Sequence, residues 1–367
     1  MIPAAFDYKV AESASHALAL LAEHGEDAKL LAGGHSLLPM MKVRLAQPAV
    51  LIDIARITEL SGIAIVGDEI VIGATTRHAD LVSSEILKAQ APILAYAAAQ
   101  VGDPQIRHRG TIGGSVAHAD PSADLPMTLL ALGATIEITG AAGTRSVGID
   151  DFFAGPFESV LSPDEILSSV RVPRGPDATW GYQKFVRRAN DWAIVGVAAC
   201  DGRVALASMG GTPLRAHATE EALRSGASIA DAAQLAAVGT SPGADFHADA
   251  DFREHLARVL TRRALEGQTG LSRAGEVTAA SGFRFPDETA PNGVPRGPCR
   301  GRIIGEANTR GRCCCWGARR VRPVVREEEA GLGRLGLGSL ALVPRRGTRH
   351  SLSSEMYTNR WRSLRLA

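Results

Sequence analysis

The sequence predicts an α+β protein: a two-lobed ligand-binding unit, a smaller unit with an antiparallel sheet, and a tail of different character. Three observations lead there. Two segments, AGGHSLLPMMKVR from Ala32 and GTIGGSVAHADPSAD from Gly110, each set a serine just after a Gly-Gly pair. Three strand-like stretches, WGYQKFVRR, AIVGVAAC and RVALASMGG, are joined by short turns and read as a meander. The charge balance also breaks near residue 268. Residues 1–268 carry 22 Lys and Arg against 31 Asp and Glu, whereas residues 269–367 carry 18 against 8, and all 18 are arginine. The formal net charge of +1 is therefore the sum of two unlike segments.

Taken in order, Ser13 is placed to cap a helix whose Leu18, Leu21 and Ala22 share a face and which ends near Gly25. AKLLAGG reads as a buried strand entering a glycine turn, and Ser36 as the cap of a helix from Leu37 to Arg44. Strands are expected at Ala49–Asp53, Ile63–Val66 and Glu69–Gly73. From Thr76 to Gln100 the apolar spacing of Leu81, Ile86, Leu87, Ile93 and Leu94 is helical. The second glycine segment follows as a loop, then a helix over Asp124–Leu132 and two strands around ATIEI and TRSVGI. Residues 1–175 form the two-lobed unit on this reading. Residues 177–267 form the second, its sheet covered on one face by helices at Thr219–Arg224, Ile229–Val238 and Phe252–Leu265.

A chain of 367 residues is long enough for two or three cores. It has no run of eighteen apolar residues and its N-terminus lacks the layout of a signal peptide, so a cytoplasmic protein without a membrane span is expected. Cys200 is the single cysteine of the first 268 residues, too few for a disulfide framework or an iron-sulfur cluster.

Adjacent glycines let the backbone approach a ligand closely and aim successive N–H groups at one anion. A following serine adds a hydroxyl donor, and a helix opening there favours negative charge. Two such segments suit the two phosphates of a pyrophosphate; read singly, each is a tight turn. Neither has GxGxxG spacing and no GxxxxGK[ST] loop exists, which argues against Rossmann and P-loop sites. No catalytic residue and no metal-ligand set is read from the chain.

AGGHSLLPMMKVRLAQP and RGTIGGSVAHADPSADLP, with EILSSVRVP and KFVRRANDWAIVGVA in the same order, resemble the FAD-containing medium subunit of molybdenum hydroxylases, the family of carbon monoxide and xanthine dehydrogenases. The resemblance covers residues 1–267 and implies an FAD-binding domain of the PCMH/VAO type followed by a small α+β C-terminal domain. It implies FAD contacts from Ala32, Gly33, Gly34, His35 and Ser36, and from Thr111, Ile112, Gly113, Gly114 and Ser115. Asp124 matches a flavin-contacting carboxylate, Leu167 an apolar contact, Lys184 a basic one, and Trp192 a side chain set against the flavin ring. His35 stands where glutamine is more usual. The implied role is electron transfer: a partner iron-sulfur small subunit passes electrons through FAD here to an external acceptor, and a molybdenum-binding large subunit oxidises the substrate. A hetero-oligomer without nucleic acid follows.

The residues by themselves leave alternatives. Asp124 precedes a helix and suits a cap, Lys184 suits a solvated charge, and Trp192 suits a core. His118 beside Asp120 has no third partner for acid-base work and is assigned no role. A stand-alone FAD-dependent oxidoreductase and a non-redox nucleotide-binding module remain the rival functions. Residues 268–367, with no lysine, repeated Gly-Arg pairs and the adjacent Cys313, Cys314 and Cys315, read as a disordered tail of the composition that GC-rich DNA encodes out of frame.

Overall fold

The computed structural model describes residues 2–267 and the strand Thr269–Arg273; expectations for the rest of the tail lie outside the described residues. The first lobe contains β1 (Asp7–Val10), α1 (Ala14–His24), β2 (Ala28–Leu31), α2 (Leu37–Lys42) and β3 (Val50–Asp53). Its strands are parallel, in the order β1-β3-β2. Helix α1 starts where expected because the Ser13 hydroxyl accepts the His16 N–H at 3.1 Å, satisfying one of the free donors of a helix start. Its inward stripe is Ala14, Ala17, Leu18 and Leu21, so Ala22 faces solvent rather than the core. Ser36 holds the cap position of α2 but makes no capping bond, and that helix ends at Lys42, just before the left-handed Arg44 (φ 59°).

The second lobe runs from β4 (Ile63–Val66) and β5 (Glu69–Gly73) through α3 (His78–Ser83), α4 (Glu85–Gln90), α5 (Pro92–Ala99), α6 (Pro104–Arg107), α7 (Ile112–His118) and α8 (Asp124–Leu132). It closes with β6 (Thr135–Gly140), β7 (Gly143–Gly148), β8 (Phe153–Gly155), β9 (Glu158–Ser159) and β10 (Ile166–Pro173). The larger sheet has the order β4-β5-β10-β6-β7, with every neighbouring pair antiparallel. The helical pattern over Thr76–Gln100 resolves into three helices. The Ser84 hydroxyl caps α4 by accepting the Leu87 N–H, and Pro92 opens α5 at a position that needs no donor.

The C-terminal unit contains β11 (Trp180–Val186), β12 (Val195–Cys200), β13 (Arg203–Ala207), β14 (Leu214–Arg215), α9 (His217–Arg224), α10 (Ile229–Gln234) and α11 (Ala250–Leu265). The meander β11-β12-β13 forms as expected, with β14 at one edge. At the other edge β15 (Thr269–Arg273) pairs in parallel with β11, so the sheet extends past the boundary expected at Gly267. A second correction concerns the layers. Helices cover both faces of this sheet: α11 packs with Val195, Val197 and Leu206, while Ala198, Ala205 and Ala207 face a core shared with α8. All six residues of β12 and all nine of α8 are buried for that reason. Helix α8 thereby joins the second lobe to the C-terminal unit.

Candidate functional site: a cleft between the lobes

The first glycine segment leaves β2 at Leu31 and turns through Gly34 (φ 75°), a conformation costly for residues with a side chain. Gly33 lies against the other segment: a Cβ there would sit 2.4 Å from the Arg109 carbonyl oxygen and 2.8 Å from Gly110 Cα. The two segments thus meet backbone to backbone, and glycine at residue 33 makes that approach possible. Among the described residues, no hydrogen bond is donated by the backbone N–H groups of Gly33, Gly34, His35 and Ser36. Four successive donors are therefore free beside the seam.

The second segment differs from the expected loop, because Ile112–His118 is helix α7. Thr111 caps it, its hydroxyl accepting the Gly114 N–H at 3.2 Å. The N–H groups of Ile112, Gly113 and Ser115 bond to the carbonyls of Thr76, Ala74 and Thr111 at 3.0, 2.9 and 3.0 Å. The backbone donors of Ile112–Ser115 are thus spent inside the protein, unlike those of the first segment. What the second segment offers the cleft is the exposed Cα of Gly114 and the hydroxyl of Ser115, which is unbonded among the described residues.

A cleft of about 590 Å³ follows this seam. Of the residues expected to bind cofactor, Ala32, Gly33, Gly34, His35, Ser36, Thr111, Gly113, Gly114, Ser115, Asp124, Leu167, Lys184 and Trp192 all line it. Ile112 does not, because its side chain is buried in the core beneath α7.

The three open alternatives are decided by burial. Asp124 makes no capping bond and is 3% exposed; its carboxylate accepts from Lys184 Nζ at 2.8 Å and from the Tyr182 hydroxyl at 2.5 Å. Lys184, 1% exposed, also donates to the Gln100 carbonyl at 3.1 Å and is no solvated charge. Burial raises the Asp124 pKa against the opposing pull of Lys184, and burial with the neighbouring Asp124 raises Tyr182 well above the ordinary phenol value. Trp192 is 62% exposed at the rim, so it is not core.

The structure adds His78 and Glu165, which motif spacing did not indicate, and brings His118 and Asp120, to which no role was assigned, to the same cleft. His78, at the start of α3, is 5% exposed, lines the cleft, and its Nδ1 is buried without a partner among the described residues. Burial, assisted by His35 and Arg107, lowers its pKa from 6.5 to about 4. Glu165 also lines the cleft, but Arg145 holds it with two 2.8 Å bonds and brings its pKa down to about 2. His118 and Asp120 line it as well; burial lowers the first and raises the second. His118 and Asp120 lie within the second glycine segment, and their nearness in the sequence carries no assigned role.

Four free amides, the unbonded Ser36 and Ser115 hydroxyls and an uncovered glycine suit a diphosphate-bearing ligand. The apolar walls, Leu167 and Leu31 among them, suit its flat ring systems.

Residues 4–175 match the family model described as the FAD binding domain in molybdopterin dehydrogenase, and residues 180–267 match the CO dehydrogenase flavoprotein C-terminal domain. The carbon monoxide dehydrogenase medium chain of Hydrogenophaga pseudoflava is 43% identical over 279 residues, covering 72% of this chain and 97% of that one. A 6-hydroxypseudooxynicotine dehydrogenase complex subunit alpha of Paenarthrobacter nicotinovorans is 39% identical, covering 72% and 95%. Among solved structures, the H. pseudoflava carbon monoxide dehydrogenase superposes with a TM-score of 0.70, covering 73% of this chain and 98% of that chain at 43% identity. Quinoline 2-oxidoreductase of Pseudomonas putida 86 gives 0.68 at 33% identity, covering 72% and 97%. With both domains matched in order and the relatives covered almost end to end, the chain belongs to the family of FAD-binding medium subunits of molybdenum hydroxylases, the carbon monoxide dehydrogenase medium chains among them.

Proposed function

We propose that this chain is the electron-transfer subunit of a molybdenum hydroxylase complex of the carbon monoxide dehydrogenase type, holding FAD along the seam between its glycine segments. The observation that carries the placement is the row of four unbonded amides at Gly33–Ser36 beside the bare Cα of Gly114. In this reading the amides and the Ser36 and Ser115 hydroxyls hold the pyrophosphate, and Ala32, His35, Thr111, Ile112 and Gly113 shape the seam around it. Leu167 supplies an apolar wall, and Trp192 covers the ring at the rim. The Asp124–Lys184 pair, fixed by Tyr182 and the Gln100 carbonyl, presents a rigid polar patch to the ring. FAD, when bound, supplies the redox chemistry, taking electrons from iron-sulfur clusters of a partner small subunit and passing them to an external acceptor. Substrate oxidation belongs to a molybdenum-binding large subunit. That division fits relatives named for carbon monoxide, nicotine, glyceraldehyde, caffeine and xanthine, which share this subunit type across dissimilar substrates.

The test is purification of the tagged chain from its own host. A yellow complex carrying molybdenum and iron is expected. A flavoprotein that elutes alone, free of both metals, would favour a self-contained flavin enzyme instead.

A further inference from the structure

Tyrosine and tryptophan are scarce in this chain, with 4 of each in 367 residues, yet two of the tyrosines and one tryptophan are in ring contact. The ring centroids of Tyr182 and Tyr96 lie 5.5 Å apart, edge to face, and those of Tyr96 and Trp180 lie 5.7 Å apart, both within the range of touching rings. Tyr182 and Trp180 are two residues apart in β11 and so share one face of the strand. Tyr96 is the one aromatic residue of α5, which is otherwise built of Ala, Ile, Leu and Pro, and it bridges the other two.

The two ends of this row differ. At the inner end Tyr182 is fully buried and donates its hydroxyl to the Asp124 carboxylate at 2.5 Å, and Asp124 lines the cleft. Burial, with Asp124 beside it, keeps the phenol protonated. At the outer end Trp180 is half-buried and lines a second, smaller cavity of about 260 Å³ together with Arg174 and Arg203. Ring contact therefore runs unbroken from one carboxylate behind the cleft to a partly exposed indole. Phenol and indole rings lose a single electron at similar potentials, and electrons pass quickly between rings that touch. Loss of an electron makes a phenol strongly acidic, so a buried tyrosine is oxidised readily only where a base accepts its proton. The acceptor-only carboxylate of Asp124 stands in that place.

We infer that Tyr182, Tyr96 and Trp180 form a path that carries an oxidising equivalent out of the cleft to the protein surface. The inference rests on the placement of FAD proposed above, and the oxidant is the oxidised flavin excited by blue light. Tyr182 gives it one electron and passes the phenol proton to Asp124. Trp180 then returns one electron to Tyr182 through the Tyr96 ring, the proton comes back from Asp124, and the indole N–H proton of Trp180 goes to water. The sum is one electron moved from Trp180 to the oxidant and one proton released. A small thiol or ascorbate in solution restores the indole by giving it a hydrogen atom.

The test is a flash of blue light on the full-length protein loaded with FAD, in a Trp192→Phe background so that the tryptophan at the rim cannot be the donor. Transient absorption is expected to show a neutral tryptophan radical. Trp180→Phe should abolish it. Tyr96→Leu, which removes the bridging ring, should abolish it too, and Tyr96→Phe, which keeps the ring, should retain it. Absence of the radical in the parent protein, or an undiminished yield in Trp180→Phe or Tyr96→Leu, overturns the path. Trp180→Phe keeps an aromatic ring in place, so it decides the question even where Tyr96→Leu does not fold. Gly114→Val separates the two levels: if that protein binds FAD like wild type, the placement of the cofactor has failed; if it loses FAD while the radical in the parent ignores Trp180 and Tyr96, only the path has.

Discussion

At Gly114 the α-carbon faces the cleft, and a Cβ there would meet nothing nearer than the Thr111 hydroxyl at 2.8 Å. Valine at this position projects into the space proposed for the ligand and crowds the cap, while leaving the core alone. Gly114→Val should cut flavin retention by at least about tenfold, the cost of roughly 1.4 kcal/mol of steric loss. The folded apoprotein should lose no more than the cap, about 1 kcal/mol. The ratio of flavin to protein absorbance and a melting curve check both. Trp192 calls for a spectroscopic test: its fluorescence should be quenched by bound FAD and recover on removal, and Trp192→Phe should abolish most of that change. An identical change in the variant would place Trp192 away from the ring. His78 carries a pH signature. Its pKa in the fold, about 4, is below its ordinary 6.5, so the folded state prefers the neutral ring. The resulting stability is complete above pH 6.5 and is lost as pH falls toward 4. His78→Phe should flatten that part of the stability profile, which urea titrations at a series of pH values would show.

Among the elements, β11 and α11 are held at an unusually short distance. A Cβ on Gly181 would lie 2.0 Å from the Ala264 carbonyl oxygen, against backbone rather than a side chain that can rotate away. Gly181→Ala should therefore destabilise the protein by about 1–3 kcal/mol through overpacking. Because β11 also carries Tyr182 and Lys184, FAD binding should weaken with it. A melting temperature equal to wild type would show that helix and strand are farther apart than described. The short helices α3, α4 and α5 show the complementary point. Their apolar spacing was readable, but a proline and a capping serine cut one periodic stretch into three.

For the molecule as a whole, the relatives are covered almost to their full length by about three quarters of this chain. Beyond that match the composition changes to arginine without lysine. A chain ending at Arg273 keeps the edge strand on β11 and should retain FAD and the unfolding midpoint of the full protein. Ending it at Gly267 removes that strand and should lower the midpoint. Loss of FAD from the chain ending at Arg273 would make the arginine-rich segment a working part of the protein.

Local signals in the sequence determined most elements of this protein: the Ser13 cap, the Asp124–Leu132 helix, the meander and the small-residue segments that carry the family likeness. These depend on neighbours within a few residues, so they are readable without a fold. Tertiary structure alone decided that the second glycine segment is a helix whose amides are already bonded, because the carbonyls of Ala74 and Thr76 come from another part of the chain. It alone paired Asp124 with Lys184, 60 residues apart, and brought His78 to the same cleft. It also covered both faces of the C-terminal sheet, since α8 belongs to one unit by sequence but packs in a core shared with the other. Hydrogen-bond satisfaction and burial are properties of partners distant in sequence, and no local pattern encodes which donors remain free for a ligand.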